Sequence, residues 1–209
     1  QGGVHVVWQY GYFGENNLQY AYKPPGGAWQ PPSDVWDTPS GAYVPALTID
    51  GNHVLHLIWK QSDTDVVYST RSLSSGWSAP VVVYHASDSV WRPGIAVDGS
   101  GTIIAAWGEA VDSSQAIFAA ERSNASAWSI PARLSLARQE VSAGPSLAVA
   151  PSGATIAAWT SDGNTCVARR MVTEDWGAPT CIVDTPFGTS FPVLTVDRYG
   201  TDHAALFGA

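Results

Sequence analysis

The stretch RPGIAVDGSGTIIAAW, residues 92–107, decides the fold, because it joins two short apolar runs through a tight Asp-Gly-Ser-Gly link and ends in a tryptophan. Related stretches recur as VPALTIDGNHVLHLIW (44–59), GPSLAVAPSGATIAAW (144–159) and FPVLTVDRYGTDHAALF (191–207), and GGVHVVW (2–8) matches their second half. Runs of β-branched and apolar residues separated by Gly, Asp and Asn are typical of β-hairpins. The sequence therefore predicts one hairpin that is repeated along the chain.

Three independent residue series give the length of the repeat. Aromatic residues end the second run at Trp8, Trp59, Trp107, Trp159 and Phe207. A second tryptophan series is Trp29, Trp77, Trp128 and Trp176, and prolines open the first run at Pro45, Pro93, Pro145 and Pro192. Neighbouring members of each series lie 47 to 52 residues apart. A shared period of this length indicates one structural unit per repeat.

Each unit contains four strand-like runs, which we call a, b, c and d. In one unit they are PALTID, HVLHLIW, DVVYSTR and WSAPVVVY, and no ten-residue stretch shows helical periodicity. Four strands at such a period are the signature of a propeller blade. We therefore expect an all-β chain, one β-propeller domain of four-stranded antiparallel blades over 1–209. Its units lie at about 1–38 (partial), 39–87, 88–137, 138–186 and 187–209 (partial).

The strand count leaves the number of blades open. Run b occurs five times, whereas runs a, c and d occur four times each. The count fits a four-bladed ring with one strand over, a five-bladed ring with two incomplete blades, or part of a longer propeller, natural or engineered. We favour five blade sectors. Incomplete terminal blades leave open strand edges, so we also expect that the chain can associate with a second copy of itself.

The segments LQYAYKPPGGAWQPP (18–32) and GWSAPVVV (76–83) resemble the sialidase-like, BNR-type propeller repeats of secreted bacterial proteins. The resemblance covers essentially the whole chain and implies a propeller fold and a secreted or cell-surface location, but no single activity. The family's Asp-box resembles S-x-D-x-G-x-x-W, whereas here Asp98 precedes Gly101 by three residues and Trp107 by nine. A strict Asp-box is therefore absent, and we expect the repeated aspartates to cap the a–b turns.

Charge and composition exclude several classes of partner. The formal net charge is −8 and only 13% of the residues are charged, with no cluster of Lys and Arg. Such a chain repels nucleic-acid phosphates and anionic membrane surfaces, so we expect no nucleic-acid partner. No apolar run reaches the roughly 20 residues of a membrane span, so we expect no membrane insertion. The spacing of His, Cys and acidic residues requires no metal site, and nothing in the sequence calls for a cofactor.

Residues outside the repeat pattern are the better candidates for function. Eight of the ten tryptophans belong to the two series above, and we expect them to pack between blades. The other two, Trp36 and Trp91, lie beside d–a connections, which emerge with the b–c loops on one face of a propeller. Aromatic side chains beside carboxylates on that face favour carbohydrate recognition. The predicted ligand-binding residues are Trp36, Trp91, Tyr12, Tyr43, Tyr84 and Arg92.

The resemblance to sialidases implies a search for their arginine trio, which clamps a carboxylate. Arg92 stands where the family has its Arg-Ile-Pro arginine, but the matching positions in the other units are Val44, Gly144 and Phe191. We therefore identify no catalytic residues and favour a non-catalytic extracellular protein with lectin-like carbohydrate binding. The alternatives are a protein-interaction or structural scaffold, and a sialidase-like glycosidase or polysaccharide lyase.

The two cysteines, Cys166 and Cys181, fall in runs c and d of one unit. The midpoint between them lies in the connecting loop, so hairpin counting places them opposite each other. The aligned positions in another unit are Val67 and Val82, which are apolar neighbours. The sequence therefore predicts a cross-strand disulfide, which would imply an oxidising compartment, over the alternative of two buried thiols.

Overall fold

The computed structural model describes residues 2–11, 16–36, 41–72, 74–112, 114–123, 126–137, 139–182, 189–197, 199 and 201–208. All regular structure in these ranges is β-strand, and none of them contains a helix long and apolar enough to cross a membrane. The strands form successive antiparallel sheets, which we call blades 1 to 5. The prediction of an all-β fold with four-stranded antiparallel sheets is confirmed.

The strands are as follows. Blade 1 contains Val4–Tyr10 (β1), Asn17–Lys23 (β2) and Ser33–Asp34 (β3). Blade 2 contains Ala42–Ile49 (β4), Leu55–Gln61 (β5), Asp65–Ser72 (β6), Gly76–Trp77 (β7) and Val81–His85 (β8). Blade 3 contains Val90–Val97 (β9), Ile103–Val111 (β10), Ser114–Arg122 (β11) and Ala132–Arg133 (β12). Blade 4 contains Val141–Val149 (β13), Thr155–Ser161 (β14), Asn164–Arg170 (β15) and Thr180–Ile182 (β16). Blade 5 contains Thr189–Val196 (β17) and Asp202–Gly208 (β18).

The first strand of each of blades 2 to 5 faces the centre. Strands β4, β9, β13 and β17 contact one another in this order, and β1 contacts β4. Moving outward in blades 2 to 4, strand a pairs with b, b with c, and c with d. In blade 2 the outer strand is interrupted, since both β7 and β8 pair with β6. This radial order is that of a propeller.

The repeated aspartates close the a–b turns, as expected from the sequence. Asp50 Oδ1 accepts hydrogen bonds from the backbone N–H groups of Asn52 and Val54, at 2.9 and 2.8 Å. Asp98 and Asp197 each accept two backbone N–H bonds in the same way, at 2.8 to 3.0 Å. Asx-type bonds of this kind replace backbone partners that the turn cannot supply.

Tryptophans fill the spaces between blades, but two of the eight assigned to the core differ: Trp8 and Trp29 of blade 1 line one open pocket with Val6 and Ala21. Trp59, Trp107 and Trp159 are completely buried, and Trp77, Trp128 and Trp176 are partly buried against the same clusters. Trp29, in contrast, is 49% exposed. The face of blade 1 that carries it is the face that, in blades 2 to 4, packs against the preceding blade. Within the described residues no blade covers that face.

The predicted disulfide is present. Cys166 and Cys181 are direct cross-strand partners in β15 and β16, and their sulfur atoms are bonded. The aligned pair in blade 2, Val67 and Val82, is also in register across β6 and β8. The bond therefore replaces an ordinary apolar contact between strands c and d.

Candidate functional site

Backbone hydrogen bonds hold the d–a loop between blades 2 and 3 in place. The N–H of Ala86 donates to the carbonyl of Thr64 at 2.9 Å, and that of Val90 donates to Asp63 at 2.8 Å. Both acceptors lie in the b–c turn of blade 2. His85 and Asp65 also pair side chain to side chain at this end. The d–a and b–c loops therefore form one connected face, which we call the loop face.

Trp91 enters this face at the start of β9. It pairs in register with Gly108 of β10, and its indole lies flat over that glycine. A Cβ atom at position 108 would lie 2.1 Å from the indole ring, so only glycine leaves the space. Trp91 is half-buried and also packs against the cluster between blades 3 and 4. It therefore presents part of its ring to solvent while the rest supports the interface.

Tyr84, the second predicted aromatic, joins a buried carboxylate. Its ring stacks on Trp107 of blade 3, with centroids 5.3 Å apart, and its hydroxyl lies 3.5 Å from Glu109 Oε1. Glu109 is only 4% exposed, and its other oxygen is 3.4 Å from the indole N–H of Trp107. Strand d of blade 2 and strand b of blade 3 thus converge on one acid group.

Burial raises the pKa of Glu109, and the negative charge of Asp88 raises it further, although the contacts from Trp107 and Tyr84 act in the opposite direction. The pKa of Tyr84 is also raised, by burial and then by the neighbouring Glu109 charge. Buried carboxyl groups with a raised pKa occur often at functional sites. The aligned positions in blades 2 and 4 are Gln61 and Ser161, so this acid belongs to blade 3 alone among these three.

Arg92 lies next to Trp91 and lines a central cavity of about 310 Å³. Its backbone has φ of 45°, and the aligned Val44 has φ of 50°, in a bulge where the inner strand shifts register against strand b. Positive φ is strained for both residue types, and such strain concentrates at functional sites. The cavity is also lined by Pro93 of blade 3 and by residues at or after the same bulge in blades 4 and 5: Gly144, Pro145, Ser146, Pro192 and Val193.

The remaining predicted residues are placed as follows. Tyr43 aligns with Trp91 in the repeat, and it pairs with Lys60, whose ammonium lies 5.8 Å from the tyrosine ring centroid. Trp36 is 42% exposed and follows the buried Val35 at the end of the outer strand of blade 1. Tyr12 lies outside the described residues. None of the described contacts joins Trp36 to Trp91 or Arg92. Trp91 and Arg92 are neighbours in the chain, and Tyr84 is linked to them only through intervening residues.

Glu109 was not among the residues predicted from the sequence. It stands in a buried strand, where a single acidic residue is easily assigned to the adjoining loop. The available signal was its replacement by Gln61 and Ser161 at the aligned positions. Among the described residues no group of three or more His, Cys, Asp or Glu side chains could hold a metal ion.

Comparison with known proteins defines the fold. No family model matches the chain, and no curated protein matches it. Among solved structures, a protein of unknown function from Dyadobacter fermentans is similar over 100% of this chain and 76% of its own, with TM-score 0.70 and 11% identity. The ulvan lyase PL25, solved with a -[GlcA(1-4)Rha3S]- ligand, is similar over 93% and 59%, with TM-score 0.64 and 12% identity.

A third similar structure is the intramolecular trans-sialidase from Ruminococcus gnavus, in complex with oseltamivir carboxylate. The similarity covers 91% of this chain and 46% of that one, with TM-score 0.62 and 15% identity. This chain therefore spans about half to three quarters of the length of these proteins. Identities this low establish the fold alone. The likeness, together with the radial sheets, shows that the chain is a β-propeller.

Proposed function

We propose that this chain is a carbohydrate-binding propeller of BNR-like type that recognises extracellular glycans on its loop face. The observation that carries the proposal is the pairing of Tyr84 with the buried Glu109 across blades 2 and 3, next to the half-buried Trp91, which packs on the other face of blade 3. Partly exposed aromatic faces can stack on the C–H faces of sugar rings, and the adjoining carboxylate and Arg92 can bond hydroxyl or acidic groups. The loops that hold these side chains are fixed by backbone bonds, which reduces the entropy cost of binding.

Two further observations support the proposal. Similar propellers include the ulvan lyase bound to -[GlcA(1-4)Rha3S]- and an α-L-arabinofuranosidase from Podospora anserina in complex with cellotriose. The Cys166–Cys181 bond fits an oxidising compartment and so supports a secreted location. We also assign Trp36 and Tyr43 to this proposed surface, and Tyr12 by its position in the sequence alone.

A glycan-array screen of the purified protein tests the proposal. We expect a reproducible signal that falls at least tenfold in the Trp36→Ala variant. Trp29→Ala is the matched control, because Trp29 is exposed to a similar extent, 49% against 42%, but follows a c–d loop at the opposite end of the blade. An equal loss in both variants, or a blank array from folded protein, would contradict the proposal. The blank array would instead favour a protein-interaction scaffold.

An enzyme is the second candidate function, because Glu109 is a buried carboxyl group with a raised pKa beside the hydroxyl of Tyr84 and the indole N–H of Trp107, and such groups are candidates for acid–base roles. In this case the protein would release 4-methylumbelliferone from a glycoside substrate or unsaturated products from a uronate polymer. Glu109→Gln would remove that activity. Binding on the array without turnover of either substrate would support the lectin-like function and contradict the enzyme.

A further inference from the structure

An arginine stands at the end of strand c in each of blades 2, 3 and 4. Arg71, Arg122 and Arg170 occupy the same position, since they pair in register with Leu55, Ile103 and Thr155, each four residues before the buried tryptophan of strand b. Each of these arginines reaches towards the preceding blade. The three interfaces therefore provide an internal comparison of how one cation is neutralised.

In the interface between blades 3 and 4 the arginine forms ion pairs with two carboxylates. Arg170 Nη1 donates to Asp98 Oδ2 at 3.1 Å, and its Nε and Nη2 face the two carboxylate oxygens of Glu121 at 2.5 and 2.6 Å. This is the two-pronged geometry that a guanidinium forms with a carboxylate. Arg170 is 5% exposed.

In the interface between blades 1 and 2 the space is closed. Arg71 lies over the ring of Tyr20, 4.8 Å from its centroid, and donates to the carbonyl of Ser72 at 3.1 Å. Tyr22, rather than an acidic residue, stands at the position of Glu121.

The interface between blades 2 and 3 differs from both. The position of Glu121 is taken by Thr70, and the guanidinium of Arg122 lies 5.8 Å from the ring centroid of Tyr68. Its buried Nε has no hydrogen-bond partner among the described residues, as is also true of Arg71 and Arg170, so the difference lies in the missing carboxylate. Asp50, which aligns with Asp98, directs its second oxygen to His56 Nε2 at 3.5 Å. Arg122 is thus the one described arginine of the three that is bonded to neither a carboxylate nor a carbonyl.

An open groove of about 470 Å³ lies at this point. Arg122, Thr70 and Ser78 supply the polar lining, and apolar side chains supply the rest: Ala79, Val81, Ile103 and the ring of Tyr68. The volume lies in the range of small-molecule sites. A cation, two hydroxyl groups and an apolar wall fit a ligand that carries a carboxylate, hydroxyls and a C–H face.

We propose that the groove between blades 2 and 3 binds the carboxylate of a uronate-type sugar, which pairs with Arg122 in the place that Glu121 occupies beside Arg170. The ligand's hydroxyl groups bond Thr70 and Ser78, and its ring packs against Val81 and Ile103. This site is separate from the loop face. It lies at the end of the blades where strand c leads into the c–d loop.

The test is isothermal titration calorimetry with sodium D-glucuronate, with D-glucose, sodium acetate and sodium sulfate as comparison ligands. We expect glucuronate to bind at millimolar concentration or below, at least tenfold more tightly than acetate, with no measurable binding of glucose. Sulfate that binds as tightly as glucuronate would overturn the carboxylate assignment. Absence of glucuronate binding at 50-fold excess over about 1 mM protein would overturn the site.

Two variants locate the site. Thr70→Glu reproduces the arrangement of blade 3 and places a carboxylate beside Arg122, so it should abolish glucuronate binding while the protein stays folded. Arg122→Gln should weaken binding at least tenfold, and Arg71→Gln, at the aligned position in the closed interface, should leave it unchanged. Glucuronate binding that survives Thr70→Glu contradicts the proposal. Unchanged glucuronate binding by Trp36→Ala separates this site from the loop face.

Discussion

The interfaces on the two sides of blade 3 each contain an arginine at the same repeat position, but its guanidinium has different partners in the two. Between blades 3 and 4, Arg170 forms a buried ion-pair group with Asp98 and Glu121. Between blades 2 and 3, Arg122 rests over Tyr68, whose ring also packs edge-on against Trp128, with centroids 5.3 Å apart. The aligned residue for Tyr68 in blade 3 is Ala119, so loss of the aromatic ring accompanies gain of the carboxylate. The residues that contact the arginine thus differ together between the two interfaces.

The largest expected effect comes from removing the buried ion pairs of Arg170. Arg170→Gln leaves Asp98 and Glu121 without their cation in a largely buried place, which typically costs about 3–5 kcal/mol of the free energy of unfolding. Arg122→Gln removes only a cation–π contact and should cost about 0.5–1 kcal/mol. Urea denaturation of both variants measures the difference. Equal losses of unfolding free energy would show that the two arginines stabilise the protein equally and would contradict the difference inferred here.

A smaller effect tests the aromatic side. Trp128→Ala removes a partly buried ring that packs against Tyr68, and we expect a loss of about 2–3 kcal/mol, below the cost for a fully buried ring. Trp29→Ala, at the aligned position in blade 1, should cost less than about 0.5 kcal/mol, because no described blade covers its ring. Thermal unfolding of the two variants provides the measurement. A large loss for Trp29→Ala would mean that its face is covered in solution.

The smallest effect concerns pH. Burial lowers the pKa of His56 and the charge of Arg122 lowers it further, while the Asp50 contact opposes both, and the net pKa lies below the ordinary 6.5. The unfolded chain then binds the proton more tightly than the folded chain. Stability is therefore fully present above about pH 6.5 and is lost as the pH falls towards the lowered value.

The matched variant is His56→Gln, which cannot titrate in this range. We expect the difference in unfolding free energy between wild type and this variant to narrow by on the order of 1 kcal/mol between pH 7 and pH 5. Ile104 takes the aligned position in blade 3, but His5 takes it in blade 1 with a pKa also lowered by burial and then by Arg71, so only the His56→Gln variant assigns the effect to the interface between blades 2 and 3. A constant difference across this range would assign the acid sensitivity to other groups.

Much of the fold could be predicted because it follows from local rules that repeat. The hairpin pattern around Asp98, the buried tryptophan of strand b and the register of Cys166 with Cys181 each depend on neighbours within one blade. The exposure of Trp29 could not be predicted in this way, because it depends on which blade stands next to it. The contact of His203 with Asp197, at 3.2 Å, repeats that of His56 with Asp50 six residues after the aspartate.

The sequence predicts which residues belong to the candidate site better than it predicts how they are arranged. The sequence identifies Trp91 and Arg92 as departures from the repeat, but the space above Gly108 that admits the indole appears only when β9 and β10 are paired. Glu109 was missed because strand position, rather than residue type, decides that it is buried. The groove at Arg122 was missed for a related reason, since it arises from the absence of a carboxylate at Thr70.

The turn-closing aspartates divide their two oxygens between separate tasks, and this bears on how repeats diverge. One oxygen of Asp50, Asp98 and Asp197 always binds the turn, whereas the second faces a histidine, an arginine and a histidine, respectively. Duplicated units can therefore keep a common local shape while each junction acquires its own chemistry. Differences between the repeats therefore accumulate at the interfaces between blades. A search for new binding sites in repeat proteins of this kind should begin at those interfaces.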